Sequence, residues 1–104
     1  MTELKSISKS ENDVLALFLI KDKAIIRSPS EVDIILGIGM INVIDIFLEL
    51  ESIGYLKWRS LNLLDLDLGR STKEIYNEIY NSPAVITAKG ELHINNAAIT
   101  NQAS

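Results

Sequence analysis

Two helices joined by a glycine turn can be read from Ser28 to Leu56, a stretch without a single lysine, arginine or histidine. It runs SPSEVDIILGIGMINVIDIFLELESIGYL, and its charged residues are all acids: Glu31, Asp33, Asp45, Glu49 and Glu51. Ser28-Pro29-Ser30-Glu31 is a strong helix start. Ser28 can cap the first amides, proline suits the first helical position, and Glu31 closes the box. Val32, Ile35 and Leu36 give this helix an apolar face, and Gly37-Ile38-Gly39 breaks it. The next helix runs from Met40 to Ile53 and stops at Gly54, a natural residue just past a helix end. Affinity for phosphate comes largely from Lys and Arg, so this segment is poorly matched to a polyanion.

The rest of the composition sets wide bounds. The chain has 104 residues, enough for one domain with a modest core. Apolar residues make up 47% and charged residues 23%, close to ordinary globular usage. Ten Lys plus Arg stand against fourteen Asp plus Glu, a net charge of −4. That balance gives no long-range pull toward nucleic acid or anionic lipid. There is no cysteine, hence no disulfide framework and no thiolate chemistry, and a cytoplasmic location is expected. No apolar run reaches the roughly 18 residues of a membrane span. Met1–Ser10 is polar and lacks the apolar stretch of a secretory signal.

Residues 1–9 read as a flexible N-terminus. Ser10-Glu11-Asn12-Asp13 suggests a capping box ahead of a well-buried helix over Val14–Ile20. Lys21-Asp22-Lys23 turns the chain, and Ala24–Arg27 reads as a short strand. Tyr55–Leu68 reads as a hairpin. If Leu56 faces Leu68, Trp58 faces Leu66 on one apolar side, while Lys57 meets Asp67 and Arg59 meets Asp65 on the other. The tip is then Ser60–Leu64, which holds Leu61, Leu63 and Leu64. Ser71-Thr72-Lys73-Glu74 starts a fourth helix to about Asn81, with Ile75 and Ile79 as its apolar pair. Pro83 stops it. Val85–Ile94 suggests a second hairpin around Lys89-Gly90, and residues 95–104 a flexible tail.

Over residues 10–68 the order of helix, short strand, helix, helix and hairpin resembles the winged helix-turn-helix family. Leu36-Gly37-Ile38 is similar to the family's turn, Leu50-Glu51 to the end of its third helix, and Gly54-Tyr55-Leu56 to the start of its wing. Gly37 and Gly54 are seventeen positions apart, as in that pattern. Val43, Phe47 and Leu50 fall where the family places core residues. The resemblance implies an α+β fold, a winged helix extended over residues 69–94 by a C-terminal helix and short hairpin. It also implies a third helix that enters the major groove through exposed polar and basic side chains. The corresponding positions here are Met40, Ile41, Asn42, Ile44, Asp45, Leu48 and Glu49, and none is basic.

Ile41, Ile44 and Leu48 form a second apolar stripe, separate from the core stripe. With Ile46 the helix is apolar almost all round, as in helices buried on more than one side. The cover is either internal, from the fourth helix or the Val85–Ile94 hairpin, or a protein partner. Three aliphatic side chains at about 1.5–3 kcal/mol each are enough to matter for association.

Other residues offer little chemistry. His93 is the only histidine, with no second ligand type to make a metal site. Asp65 and Asp67 each have a basic neighbour. No serine has a base to activate it. Gly37-Ile38-Gly39 lacks the lysine of a phosphate loop. Trp58 reads as core beneath the wing, and Tyr76 and Tyr80 as a dimer seam or core.

The expectation is a non-enzymatic module without cofactor, metal, membrane or small-molecule substrate, acting through a protein partner or a homodimer. The setting expected is regulatory, linked to transcription or replication. Its interface would be Met40, Ile41, Ile44, Asp45, Leu48, Leu61 and Leu63, with Asn42 and Glu49 in the rim. The alternative is a dimeric DNA-binding regulator using Lys21, Lys23, Arg27, Lys57, Arg59, Arg70 and Lys73.

Overall fold

A computed structural model describes residues 8–21, 23–61 and 69–103, with side chains described as far as residue 95. The elements are α1 (Lys9–Ala16), β1 (Leu19–Ile20), β2 (Lys23–Ala24), α2 (Pro29–Leu36), α3 (Met40–Ser52), β3 (Leu56–Trp58), α4 (Thr72–Tyr80), β4 (Ala84–Ile86) and α5 (Ala88–Ala103). Among the described residues this is an α+β domain of five helices and two small antiparallel sheets, β1–β2 and β3–β4.

Helix starts follow the capping chemistry. Ser28 Oγ accepts the Glu31 amide, and Glu31 Oε1 accepts the Ser28 amide at 3.1 Å. Ser71 caps α4 in the same way from its side chain to the Glu74 amide. At α1 the working box is Ser8 with Glu11, two residues ahead of the expected Ser10–Asp13 box. A glutamate at the third helical position is long enough to reach back to its cap amide. The same helix ends at Ala16 rather than Ile20. Leu19 and Ile20 instead pair with Ala24 and Lys23 across a two-residue turn, where Lys21 adopts a left-handed φ of 50°.

The turn between α2 and α3 needs glycine because Gly37 has φ 65°, a conformation costly for residues with a Cβ. Asp33 then fixes three elements with one carboxylate. Its Oδ1 accepts the Gly39 amide at the start of α3 (2.8 Å), and its Oδ2 accepts the Tyr80 hydroxyl at the end of α4 (2.7 Å).

The core is built on α3. Val43, Ile44, Phe47 and Leu50 are fully buried, and α3 packs against α1, α2, α4 and β3. The Phe47 ring lies 5.6 Å from that of Phe18 and 5.9 Å from that of Trp58. Trp58 is thus core, as the sequence suggests.

β3 pairs with β4: Leu56 faces Ile86, Lys57 faces Val85 and Trp58 faces Ala84. The expected pairing of Leu56 with Leu68 and of Trp58 with Leu66 falls on residues outside the described ones. Arg27 bridges Ala84 on the other side of β4. Ala84-Val85-Ile86 is apolar throughout, so the apolar-polar alternation of Leu56-Lys57-Trp58 does not point to it. Asp65 and Asp67 lie outside the described residues, as does Leu64. The second hairpin over Val85–Ile94 is absent, because only Ala84–Ile86 is extended. From Ala88 to Ala103 the chain is helical, including much of the expected tail. Thr87 caps this helix, its hydroxyl accepting the Gly90 amide at 3.1 Å.

Gly90 is therefore a helix residue chosen for closeness rather than for a turn. A Cβ there would overlap the Tyr55 carbonyl oxygen and come within 2.8 Å of Ile86 Cγ1. Replacing it with alanine forces α5 away from the sheet. Gly90→Ala is expected to lower stability by about 1–3 kcal/mol in urea unfolding, as overpacked sites do. A neutral or stabilising result would contradict this packing.

Candidate protein-interaction surface

The described residues of the expected interface separate into three groups, with Leu63 outside them. Ile44 is 0% exposed and belongs to the core. It is therefore not a surface anchor, which corrects the expectation of an outward Ile41–Ile44–Leu48 stripe. Met40, Leu48 and Leu61 are half-buried and packed against the core. Only Ile41, at 56%, and Asp45 are exposed as expected. α3 is covered internally by α1, α2, α4 and β3. α4 packs on both α3 and α2, with Ile79 buried and Ile75, Tyr76 and Tyr80 half-buried against the core. Helix phase explains the outcome. Ile44 adjoins Val43 and is three residues from Phe47, so a wide apolar arc, not a narrow seam, faces inward.

The surface apolar cluster lies instead around the α2–α3 turn. Ile34 is 82% exposed, and Ile35, assigned above to the inner face of its helix, is 49% exposed. With Ile41 they flank the turn on both sides. The missed signal is the run Val32, Ile34, Ile35 and Leu36. A helix with so many consecutive aliphatics cannot turn all of them to one side.

This surface is acidic at its edge. Glu31 and Asp45 are exposed, and Asn42 is exposed with its amide donating to the Ile38 carbonyl at 2.8 Å. Beside them a groove of about 430 Å³ is lined by Ser10, Ile38, Asn42, Asp45 and Ile46. It offers a carboxylate, an amide and a hydroxyl over two isoleucines. That combination suits an apolar side chain accompanied by a cation.

The seven cations considered for DNA are unequally available. Lys21, Lys23, Lys57, Arg59 and Lys73 are exposed. Arg27 is half-buried and its Nε donates to the Leu17 carbonyl at 2.6 Å. Arg70 pairs with Glu78 at 2.7 Å and approaches Glu74 at 3.9 Å. None of the seven lies on α2 or α3.

The remaining polar groups tie elements together. His93 Nε2 is 2.9 Å from Asn12 Oδ1, and its ring centroid is 4.8 Å from that of Tyr55, joining α5 to α1. Lys89 Nζ donates to the Ile53 carbonyl at 3.0 Å and lies 5.7 Å from the Tyr55 ring centroid. The hydrogen bond to Asp33, then burial and the nearby carboxylate charge, push the Tyr80 phenol above its ordinary pKa, so it remains a donor. Burial raises Tyr55 as well. No helix among the described residues is long and apolar enough to cross a membrane. No protein-family model, curated protein or solved structure matches the chain.

Substitution separates surface from core. Ile34→Asp and Ile41→Asp are each expected to change stability by no more than about 0.5 kcal/mol. Ile44→Asp buries an unpaired carboxylate and should abolish cooperative unfolding. Thermal melts followed by circular dichroism read both. An Ile44→Asp protein as stable as Ile41→Asp would overturn the assignment.

Proposed function

We propose that this chain is a non-enzymatic protein-interaction module on a winged-helix scaffold, acting in a regulatory setting linked to transcription or replication. The scaffold reading rests on the order helix, short strand, helix, helix and a two-stranded wing. In this chain α4 is inserted between the two wing strands. The observation that carries the functional reading is the character of the outward side of α2 and α3. It exposes Ile34, Ile35, Ile41, Glu31 and Asp45, and it holds no cation. Exposed isoleucines clustered at one turn favour contact with another apolar surface. Acids at their edge disfavour phosphate and favour a partner with basic side chains.

A second reading keeps the chain as a DNA-binding regulator. The exposed Lys21, Lys23, Lys57, Arg59 and Lys73 favour it. Such a protein would bind through its flanks and not through α3.

Fluorescence anisotropy with duplex DNA at about 50 mM salt distinguishes the two. The interaction reading expects no tight binding and no steep fall of affinity with added salt. Tight binding with a salt slope of several phosphates would overturn it in favour of the second reading.

A further inference from the structure

The groove beside the turn is lined by Ser10 on α1, Ile38 before α3, and Asn42, Asp45 and Ile46 on α3. Its polar groups are oxygens left without partners among the described residues. The Asn42 side-chain nitrogen is spent on the Ile38 carbonyl, which leaves Oδ1 as an acceptor. The Asp45 carboxylate and the Ser10 hydroxyl have no hydrogen bond or ion pair there. Ile38 and Ile46, both half-buried, supply the apolar part. The volume of about 430 Å³ falls within the roughly 300–1,000 Å³ of ligand clefts. Resting on the protein-interaction reading above, we infer that this groove receives an arginine side chain of a different protein. Its aliphatic stem lies on Ile38 and Ile46, and its guanidinium meets Asp45, Asn42 Oδ1 and Ser10 Oγ.

Charge selects a cation. From Ser28 to Leu56 the chain has no Lys, Arg or His. Helical spacing sets Glu49 one turn beyond Asp45 on α3, and exposed Asp13 one turn beyond Ser10 on α1. Lys9 adjoins Ser10, and Asp13, four positions along the same helix, offsets it. Both helices begin near the groove, but their positive ends are already met by carboxylates. Glu11 accepts the Ser8 amide, and Asp33 accepts the Gly39 amide. An anion would therefore face acids, whereas a cation finds only acceptors. The chain's own net charge of −4 gives no general attraction between copies, so the cation is assigned to another protein.

Shape and donor count select arginine among cations. A guanidinium carries donors in a flat fork and is less strongly hydrated than an ammonium. It can therefore reach oxygens on two helices at once. Its stem buries on aliphatic side chains while its head stays near water, which matches a groove of two isoleucines rimmed by oxygens. Ile41, 56% exposed, is three positions from Ile38 and four from Asp45. It lies where an apolar neighbour of the arginine would touch, and Ile34 and Ile35 extend that contact across the turn. The segment recognised is thus an arginine flanked by apolar residues.

Titration of the full chain with the peptide acetyl-Leu-Arg-Leu-amide, followed by amide proton–nitrogen NMR spectra, tests this. Saturable shifts are expected at Ile38, Asn42, Asp45 and Ile46. The same peptide with citrulline, the neutral isostere of arginine, should bind roughly fivefold more weakly or worse. Asp45→Asn, at an exposed position, should weaken the arginine peptide by a similar factor. The citrulline comparison uses the wild type and holds whatever that substitution does to folding. No saturable shift, shifts confined to other residues, or equal binding of the citrulline peptide overturns the inference. So does equal binding by Asp45→Asn. Spermidine binding as tightly as the arginine peptide overturns it in favour of a free polyamine. Groove resonances that move with protein concentration alone overturn it in favour of a second copy. Each of these leaves the protein-interaction reading standing on Ile34, Ile35 and Ile41. That reading fails separately, on tight and steeply salt-dependent binding of duplex DNA.

Discussion

Everything in this fold depends on burying α3 on three sides. Val43, Ile44, Phe47 and Leu50 have no exposed surface, and Phe47 sits between the rings of Phe18 and Trp58. Each large apolar side chain removed from water contributes about 1.5–3 kcal/mol. So wide a buried arc needs more cover than α1 and α2 provide. α4 supplies it from the connection between β3 and β4, and one Asp33 carboxylate ties its end to α2 and to the first amide of α3. α4 is thus part of the core, with Ile79 buried and Ile75, Tyr76 and Tyr80 packed against it.

The same burial defines what is left for function. Once α1, α2, α4 and β3 have taken their shares, α3 presents Ile41, Asn42 and Asp45, beside Ile34 and Ile35 from α2. A nucleic-acid reader gains affinity from cations on this side. Here the exposed lysines among the described residues lie on α1, the β1–β2 hairpin, β3, α4 and α5.

Local rules made part of this legible from sequence. Ser28-Pro29 with Glu31 and the break at Gly37 are decided within four residues and took the expected role, while at Ser71 only half of the box forms, its hydroxyl accepting the Glu74 amide and donating to the Glu74 carboxylate. The core positions of Val43, Phe47 and Leu50 agree with what the family resemblance implied, and Trp58 with its place on the apolar side of its strand. Three features were not legible. The pairing of β3 with β4 was not legible because Ala84-Val85-Ile86 is apolar throughout and offers no alternation to match Lys57. Gly90 looked like a turn because its reason, the nearby Tyr55 carbonyl, is 35 residues away in the chain. Ile44 looked exposable because α3 is apolar on nearly every side, and such a helix carries no pattern that separates its inner stripe from its outer one. The exposed isoleucines therefore lie at Ile34, Ile35 and Ile41, around the turn before α3, and not along its middle.

The chain has no cysteine, so single thiols can report the phase of α3 directly. Ile41→Cys and Ile44→Cys, each reacted with an excess of a maleimide under native conditions, measure whether the first side chain faces solvent and the second does not. The account predicts that the thiol at position 41 reacts at the rate of a free cysteine. The thiol at position 44 should react only through opening of the fold, on the order of a thousandfold more slowly or less. Equal rates, or faster reaction at position 44, would contradict it.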